Sequence, residues 1–373
     1  MNKMPLDFIR PVIRSKQIYS LPKVAYQIKL NQNENPNDLA EGIKSEIFML
    51  LANCHWNRYP ELTSSSLREQ IADMLSLSGR QVMVGNGSNE ILLAIMTAVL
   101  EPGKKLLIVE PTFSLYRHYG EILDATVEAA PLLKKFAFPV EQLTQLVRAG
   151  NVALTILCSP NNPTGNRIEA ADLVKILTAA TGLVLVDEAY IDFCAQDFAP
   201  LLNDFPNLIL TRTFSKASSF AFGRFGYGLA APELVQEIYK VLLPYNLSGL
   251  TELTAQVLLT KQQALKAAVV EIVSQRQWLF QQLVLIPEIT VYPSSANFLL
   301  ICPSCASDWL FQQLAAAGIL VRDVSSYPGL GNHLRISVGA PAENQKLVGV
   351  MQSIFKSENQ PGKRTFKEEN SRQ

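Results

Sequence analysis

An α/β architecture, with a mostly parallel sheet covered by helices on both faces and a second, smaller α+β unit, is predicted from three observations. Between about residues 85 and 231, helical segments alternate with short apolar runs of strand type. Polar residues follow several of these runs directly, and ligands of open α/β sheets sit beyond the carboxyl ends of the strands. After Pro244 the texture changes to a long, mainly helical stretch through Gln282, followed by two further strand-like runs.

The runs of the first unit are 105–110, 153–158, 183–188, 208–211 and 226–230; those of the second are 296–301 and 334–338. An apolar helix is expected over 90–100, after Gly85-Asn-Gly-Ser-Asn89. The backbone N–H groups near Ser88 and Asn89 would then form an anion site at its start. The chain divides into an N-terminal arm with part of the small domain (1–56), a large domain (57–250) and a C-terminal small domain (251–356). Residues 357–373 are polar, charged and nearly devoid of core side chains, and read as a disordered tail.

Lys plus Arg equals Asp plus Glu, 33 against 33, so no overall field draws the chain to nucleic acid or an anionic membrane. A small molecule is the expected partner. Five scattered cysteines do not make a secreted disulfide framework, which points to a reducing compartment, the cytoplasm. Cys302 and Cys305 have C-x-x-C spacing without a second Cys/His pair and read as strand-end cysteines, while His55, His118 and His333 lack paired metal-ligand spacing. No metal site is expected. The N-terminus carries Lys3 and Arg10 without an apolar run of signal-peptide type. The longest strongly apolar stretch, 91–100, is far short of the roughly 20 residues a membrane span needs. No G-x-S-x-G elbow of a serine hydrolase is present.

Three polar clusters end successive strand runs. Ser159-Pro-Asn-Asn-Pro-Thr-Gly165 alone is a Pro/Asn/Gly turn. Asp187-Glu-Ala-Tyr190 alone supplies an acid that could equally cap a helix. Ser215-Lys216, with Arg224 eight residues past the lysine, is uninformative as a lone pair. In order, the three resemble the fold-type I pyridoxal-phosphate-dependent aminotransferases. The resemblance extends over nearly the whole chain, from Asn33-Glu-Asn-Pro36 to Leu334-Arg-Ile-Ser-Val-Gly339. Asn33-Glu-Asn-Pro36, Arg58-Tyr-Pro60 and the arginines Arg322 and Arg335 are similar to the histidinol-phosphate aminotransferase branch.

That resemblance implies a three-layer α/β/α large domain with a seven-stranded sheet, and pyridoxal 5'-phosphate as cofactor. Lys216 would bond the cofactor aldehyde and serve as the base that moves a proton between substrate and cofactor. Asp187 would face the pyridine nitrogen and keep it protonated. Tyr190 and Asn162 would hydrogen-bond the ring's phenolic oxygen, and Phe113 would stack on the ring, without the hydroxyl of the tyrosine often found there. Ser215, Arg224, Ser88 and Asn89 would hold the phosphate. Tyr59 would reach the phosphate of the neighbouring subunit in a homodimer. The segment 217–223 is bulkier than the family's small-residue run because of Phe220 and Phe222.

Arg335 and Arg322, with Asn33, are implied at the substrate, since a planar guanidinium matches a carboxylate or phosphate. Two arginines suit a phosphate ester, so the expected exchange is between histidinol phosphate and 2-oxoglutarate. The alternatives are an aromatic amino-acid aminotransferase, a lyase like threonine-phosphate decarboxylase, and a cofactor-binding protein that has lost catalysis.

Overall fold

The computed structural model describes residues 5–18 and 25–356; the tail expected at 357–373 lies outside the described residues. A two-residue strand, β1 (Ile28–Lys29), precedes a seven-stranded sheet. Its strands are β2 (Val82–Gly85), β3 (Lys105–Glu110), β4 (Thr126–Pro131), β5 (Val152–Cys158), β6 (Leu183–Asp187), β7 (Leu208–Thr213) and β8 (Gly226–Leu229). They lie in the order β2-β8-β7-β6-β5-β3-β4. β8 is antiparallel to β2 and β7, and the remaining pairs are parallel.

The five strand runs read from the sequence are β3, matched at both ends, and β5, β6, β7 and β8, each with one end displaced by one or two residues. They lack an apolar/polar alternation because both faces are covered. Leu107, Val109, Val184, Val186, Leu208 and Leu210 point into one core, and Leu106, Ile108, Leu154, Ile156, Leu185 and Ile209 into the other. Successive side chains thus feed opposite layers, as pleating requires. β4 escaped the sequence reading because it is an edge strand of mixed character, Thr-Val-Glu-Ala-Ala-Pro, exposed at both ends.

The small unit is an antiparallel sheet of order β12-β13-β10-β9, built from β9 (Ile289–Tyr292), β10 (Phe298–Pro303), β12 (Arg322–Asp323) and β13 (Leu334–Ser337). β11 (Ile319–Leu320) pairs in parallel with β1, which ties residues just before Asn31 to this unit. The helix Gly249–Thr260 buries Ala255 and Leu258 in a core of the large sheet, against which Ile43 of the helix Glu41–Ala52 also packs. The helix Gln262–Val284 joins the two units. Its Ile272 packs with Tyr190, Phe193, Ala217 and Phe298, while Leu279 and Leu283 enter the small-unit core. Among the described residues no helix is long and apolar enough to cross a membrane.

The helix expected at 90–100 spans Ser88–Val99, starting two residues earlier. Gly87, at φ +79°, provides the left-handed turn into it. Gly226 of β8 lies against that start. A Cβ on Gly226 would come 2.2 Å from the Ser88 nitrogen and 2.6 Å from the Gly87 carbonyl carbon, both backbone atoms that cannot swing aside. Gly226→Ala should therefore cost about 1–3 kcal/mol, the usual range for overpacking. Gly42→Ala, in an open part of a helix, should be neutral or stabilising by up to about 1 kcal/mol. Denaturant midpoints compare the two, and equal midpoints would contradict the close approach of β8 to the helix.

Candidate active site

The carboxyl ends of β5, β6 and β7 lie side by side and form the floor of a cavity of about 430 Å³. The segment 31–34, the start of helix Ser88–Val99 and the β12–β13 pair complete its walls. Every residue implied at the cofactor or substrate lines this cavity except Tyr59.

At one end is an anion cradle. Arg224, held at φ +54°, donates through a terminal guanidinium nitrogen to Ser215 Oγ at 3.0 Å. Ser88 and Asn89 occupy the first turn of their helix, where backbone N–H groups lack intrahelical partners. A Cβ on Gly87 would stand 2.6 Å from the Arg224 guanidinium, so the glycine lets the arginine lie across the helix start.

β6 ends in the buried Asp187 and is followed directly by a second buried acid, Glu188. Glu188 pairs with Arg212 at 2.7 Å, and Arg212 also reaches Asp197 at 2.5 Å. Asp187 faces the cavity and is 3% exposed. Its Oδ2 accepts from the Tyr116 hydroxyl at 2.6 Å, and its Oδ1 from the Ala189 N–H at 3.1 Å and Thr211 Oγ1 at 3.3 Å. Burial pushes its pKa up, opposed by these donors and by the charge of Lys216.

Lys216 follows β7, is half-buried and lines the cavity. Nζ donates to the Gln32 carbonyl at 2.8 Å. Desolvation, with the positive charges of Arg335, Arg224 and Lys29, lowers its pKa to about 7 against the opposing pull of Glu34. A substantial fraction of the amine is neutral at pH 7, which is the nucleophilic and basic form.

The small unit meets this floor through paired polar side chains. Asn33, at φ +54°, donates to Tyr190 Oη at 3.0 Å. It is locked in turn by Ser337, which accepts from its backbone N–H at 2.8 Å, and by Asn297, which donates to its carbonyl at 3.0 Å. Arg335 of β13 donates to Asn162 Oδ1 at 2.5 Å and to the Asn31 carbonyl at 2.7 Å, with its guanidinium over the Phe298 ring. Arg322 is its direct neighbour across the β12–β13 ladder. Phe113 stands edge-on to Tyr116 at 5.5 Å.

Tyr59 is 81% exposed and stacks on Tyr245 at 4.6 Å, outside the cavity of its own chain. Sequence reasoning did not single out Tyr116, Thr211, the Gln32 carbonyl, Glu34 or Tyr327; the last three residues line the cavity, and Tyr116 and Thr211 stand behind it through their hydrogen bonds to Asp187. A backbone carbonyl carries no sequence signal at all. Tyr116 falls three residues after Phe113 and so shares its side of the chain, which is the one available hint.

A desolvated amine, a buried carboxylate, an aromatic face and an anion cradle, spaced around one cavity, fit pyridoxal phosphate. Lys216 would bond it, Asp187 meet its ring nitrogen, and Arg224 with Ser215 and the helix start hold its phosphate. Among the described residues there is no cluster of side chains suited to a metal ion.

The sequence pattern of the family described as aminotransferase class I and II matches residues 25–351. A histidinol-phosphate aminotransferase from Chlorobium phaeovibrioides is 38% identical over 356 residues, covering 95% of this chain and 99% of that protein. One from Caldanaerobacter subterraneus subsp. tengcongensis is 36% identical, covering 94% and 99%. The crystal structure of histidinol-phosphate aminotransferase from Sinorhizobium meliloti in complex with pyridoxal-5'-phosphate shares the fold, with a TM-score of 0.82, 23% identity, and coverage of 92% and 97%.

The depressed pKa of Lys216 has a direct consequence. Trapping of pyridoxal on this lysine by borohydride should rise with pH around a midpoint near 7, because only the neutral amine attacks an aldehyde. Peptide mass spectrometry from about pH 5 to about pH 11, spanning the ordinary lysine value, reads the yield. A midpoint near the ordinary lysine value of about 10.4 would show that the amine is not desolvated.

Proposed function

Since the chain belongs to the class I and II aminotransferases, we propose that it transfers an amino group between histidinol phosphate and 2-oxoglutarate, giving imidazole acetol phosphate and glutamate, as a step of histidine biosynthesis. The observation that carries this reading is the grouping of Lys216, Asp187 and Arg335 around one cavity, together with the relatives that match almost end to end. Bound there, pyridoxal phosphate supplies the electron-accepting ring that lets an amino group leave one carbon skeleton and enter another.

The chain's own residues do the rest. Lys216 Nζ, poised between its charged and neutral forms, would take the proton from the substrate carbon and pass it to the aldehyde-derived carbon of the cofactor. Asp187 keeps a negative charge beside the ring nitrogen. Tyr190 and Asn162 present polar atoms to the ring's phenolic oxygen, and Phe113 covers a face of the ring. Arg335, with Arg322 beside it, holds the substrate phosphate or the carboxylates of glutamate in alternate half-reactions. Asn33 sets the Tyr190 hydroxyl in place.

The working unit is a homodimer in which Tyr59 reaches the partner's cofactor phosphate. The exposure of Tyr59 on the outside of its own chain, away from the cavity, supports this reading. The domain division at about residues 57 and 250 leaves the substrate arginines on the small unit and the cofactor groups on the large one. Five free cysteines suit a reducing cytoplasm.

Purified protein, followed by cofactor absorbance in single half-reactions, should accept the amino group of histidinol phosphate and pass it to 2-oxoglutarate. Efficient transfer from phenylalanine or tyrosine without histidinol phosphate would instead identify an aromatic aminotransferase, and carbon dioxide release without transfer a lyase. Arg335→Ala should lower kcat/KM about ten- to a hundredfold, the worth of a charge-assisted hydrogen bond, while leaving bound cofactor unchanged. For the assembly, light scattering should report a dimer, and Tyr59→Phe should loosen cofactor retention without altering dimer mass. A monomer with full activity would reject that assignment.

A further inference from the structure

Tyr116 belongs to the helix Leu115–Ile122, is fully buried, and was given no part in the chemistry above. Its position is nevertheless specific. The hydroxyl donates to Asp187 Oδ2 at 2.6 Å, the shortest of the three hydrogen bonds that this carboxylate accepts. Its ring stands edge-on, at 83°, to Phe113 on the cavity wall. One side chain thus touches both the acid expected beneath the ring nitrogen and the aromatic expected on the ring face.

We propose that Tyr116 is a positioning residue that, by donating to Asp187, leaves the proton they would otherwise share on the ring nitrogen of the bound cofactor. This rests on the cofactor reading given above. A proton between a buried carboxylate and a pyridine nitrogen has two resting places. Hydrogen bonds donated to the carboxylate stabilise its charged form and so favour the nitrogen, where a protonated ring is the better electron acceptor.

The surroundings of Asp187 make this donor matter. Burial favours the neutral acid. Against that stand Tyr116 from its helix, the Ala189 N–H, Thr211 from β7 and the positive charge of Lys216. Cys158 of β5 and Tyr190 are buried groups whose pKa values lie well above neutrality, so neither brings a charge. Burial and the neighbouring carboxylate likewise hold the Tyr116 phenol far above its ordinary value, so its proton stays on the tyrosine and serves only as a donor. No net proton transfer from Tyr116 is involved.

The test uses holoenzyme loaded with pyridoxal phosphate carrying nitrogen-15 in the ring. Wild-type protein should show a protonated ring nitrogen. Tyr116→Phe should move that resonance toward the unprotonated value at the same pH and lower kcat about tenfold, the effect of one hydrogen bond to a charged group, with KM for histidinol phosphate unchanged. In an Asp187→Asn background, Tyr116→Phe should have no further effect on the resonance. An unmoved resonance in the single variant, or an equal movement in both backgrounds, overturns the proposal.

A second measurement does not depend on the Phe variant folding. In wild-type holoenzyme the Tyr116 hydroxyl proton should exchange slowly and resonate far downfield, and Asp187→Asn should move it upfield. A hydroxyl proton indifferent to Asp187→Asn also overturns the proposal. Failure of wild-type protein to bind the cofactor would instead defeat the cofactor reading, so the two failures are distinguishable.

Discussion

Keeping a carboxylate ionised inside the protein is the constraint on which the rest of the site depends. Asp187 ends a strand whose every other residue serves a packed apolar layer, and removing an ion from water carries an effective cost of several kcal/mol. The protein meets that cost locally. Three donors from separate elements converge on the two oxygens, and hydrogen bonds to a charged group contribute about 1.5–3 kcal/mol each. Those donors restrain the carboxylate in orientation as well as in charge, so the helix Leu115–Ile122 and strand β7 become part of the chemistry through their packing.

The same low-dielectric setting tunes the amine. The Lys216 pKa is lowered to about 7 by desolvation and by the positive charges of Arg335 and Arg224, the groups proposed to hold anions. Anion recognition and amine activation are therefore coupled: an anion bound at either arginine offsets the charge that depresses Lys216. Few other arrangements give a lysine both a nucleophilic form and a protonated form within the working pH range.

Among the hydrogen bonds that cross between the N-terminal segment or small unit and the large unit are those of Asn33 with Tyr190, Arg335 with Asn162, and Lys216 with the Gln32 carbonyl. Each joins two residues that line the cavity from different parts of the chain. The apolar cluster of Tyr190, Phe193, Ile272 and Phe298 lies beside them and excludes water from the junction. Site and interdomain contact are one structure, which is why the short pairing of β1 with β11 matters beyond its two residues.

What the amino-acid sequence determined by itself was the part written in local pattern. Apolar runs without alternation identified strands buried on both faces, and polar residues directly after them, Asn162, Asp187 and Ser215 with Lys216, located the site at the strand ends. The edge strand β4 was not legible, since an edge carries no continuous apolar run. Tertiary structure alone decided which groups meet. Tyr116 lies 71 residues from Asp187 and Arg335 lies 173 from Asn162, and nothing in either segment names its partner. Tyr59 shows the opposite limit: its exposure is a property of one folded chain, and the role proposed for it would be a property of two. Periodicity encodes which face of an element is buried, whereas charge, desolvation and donor geometry arise only when separate elements pack against one another.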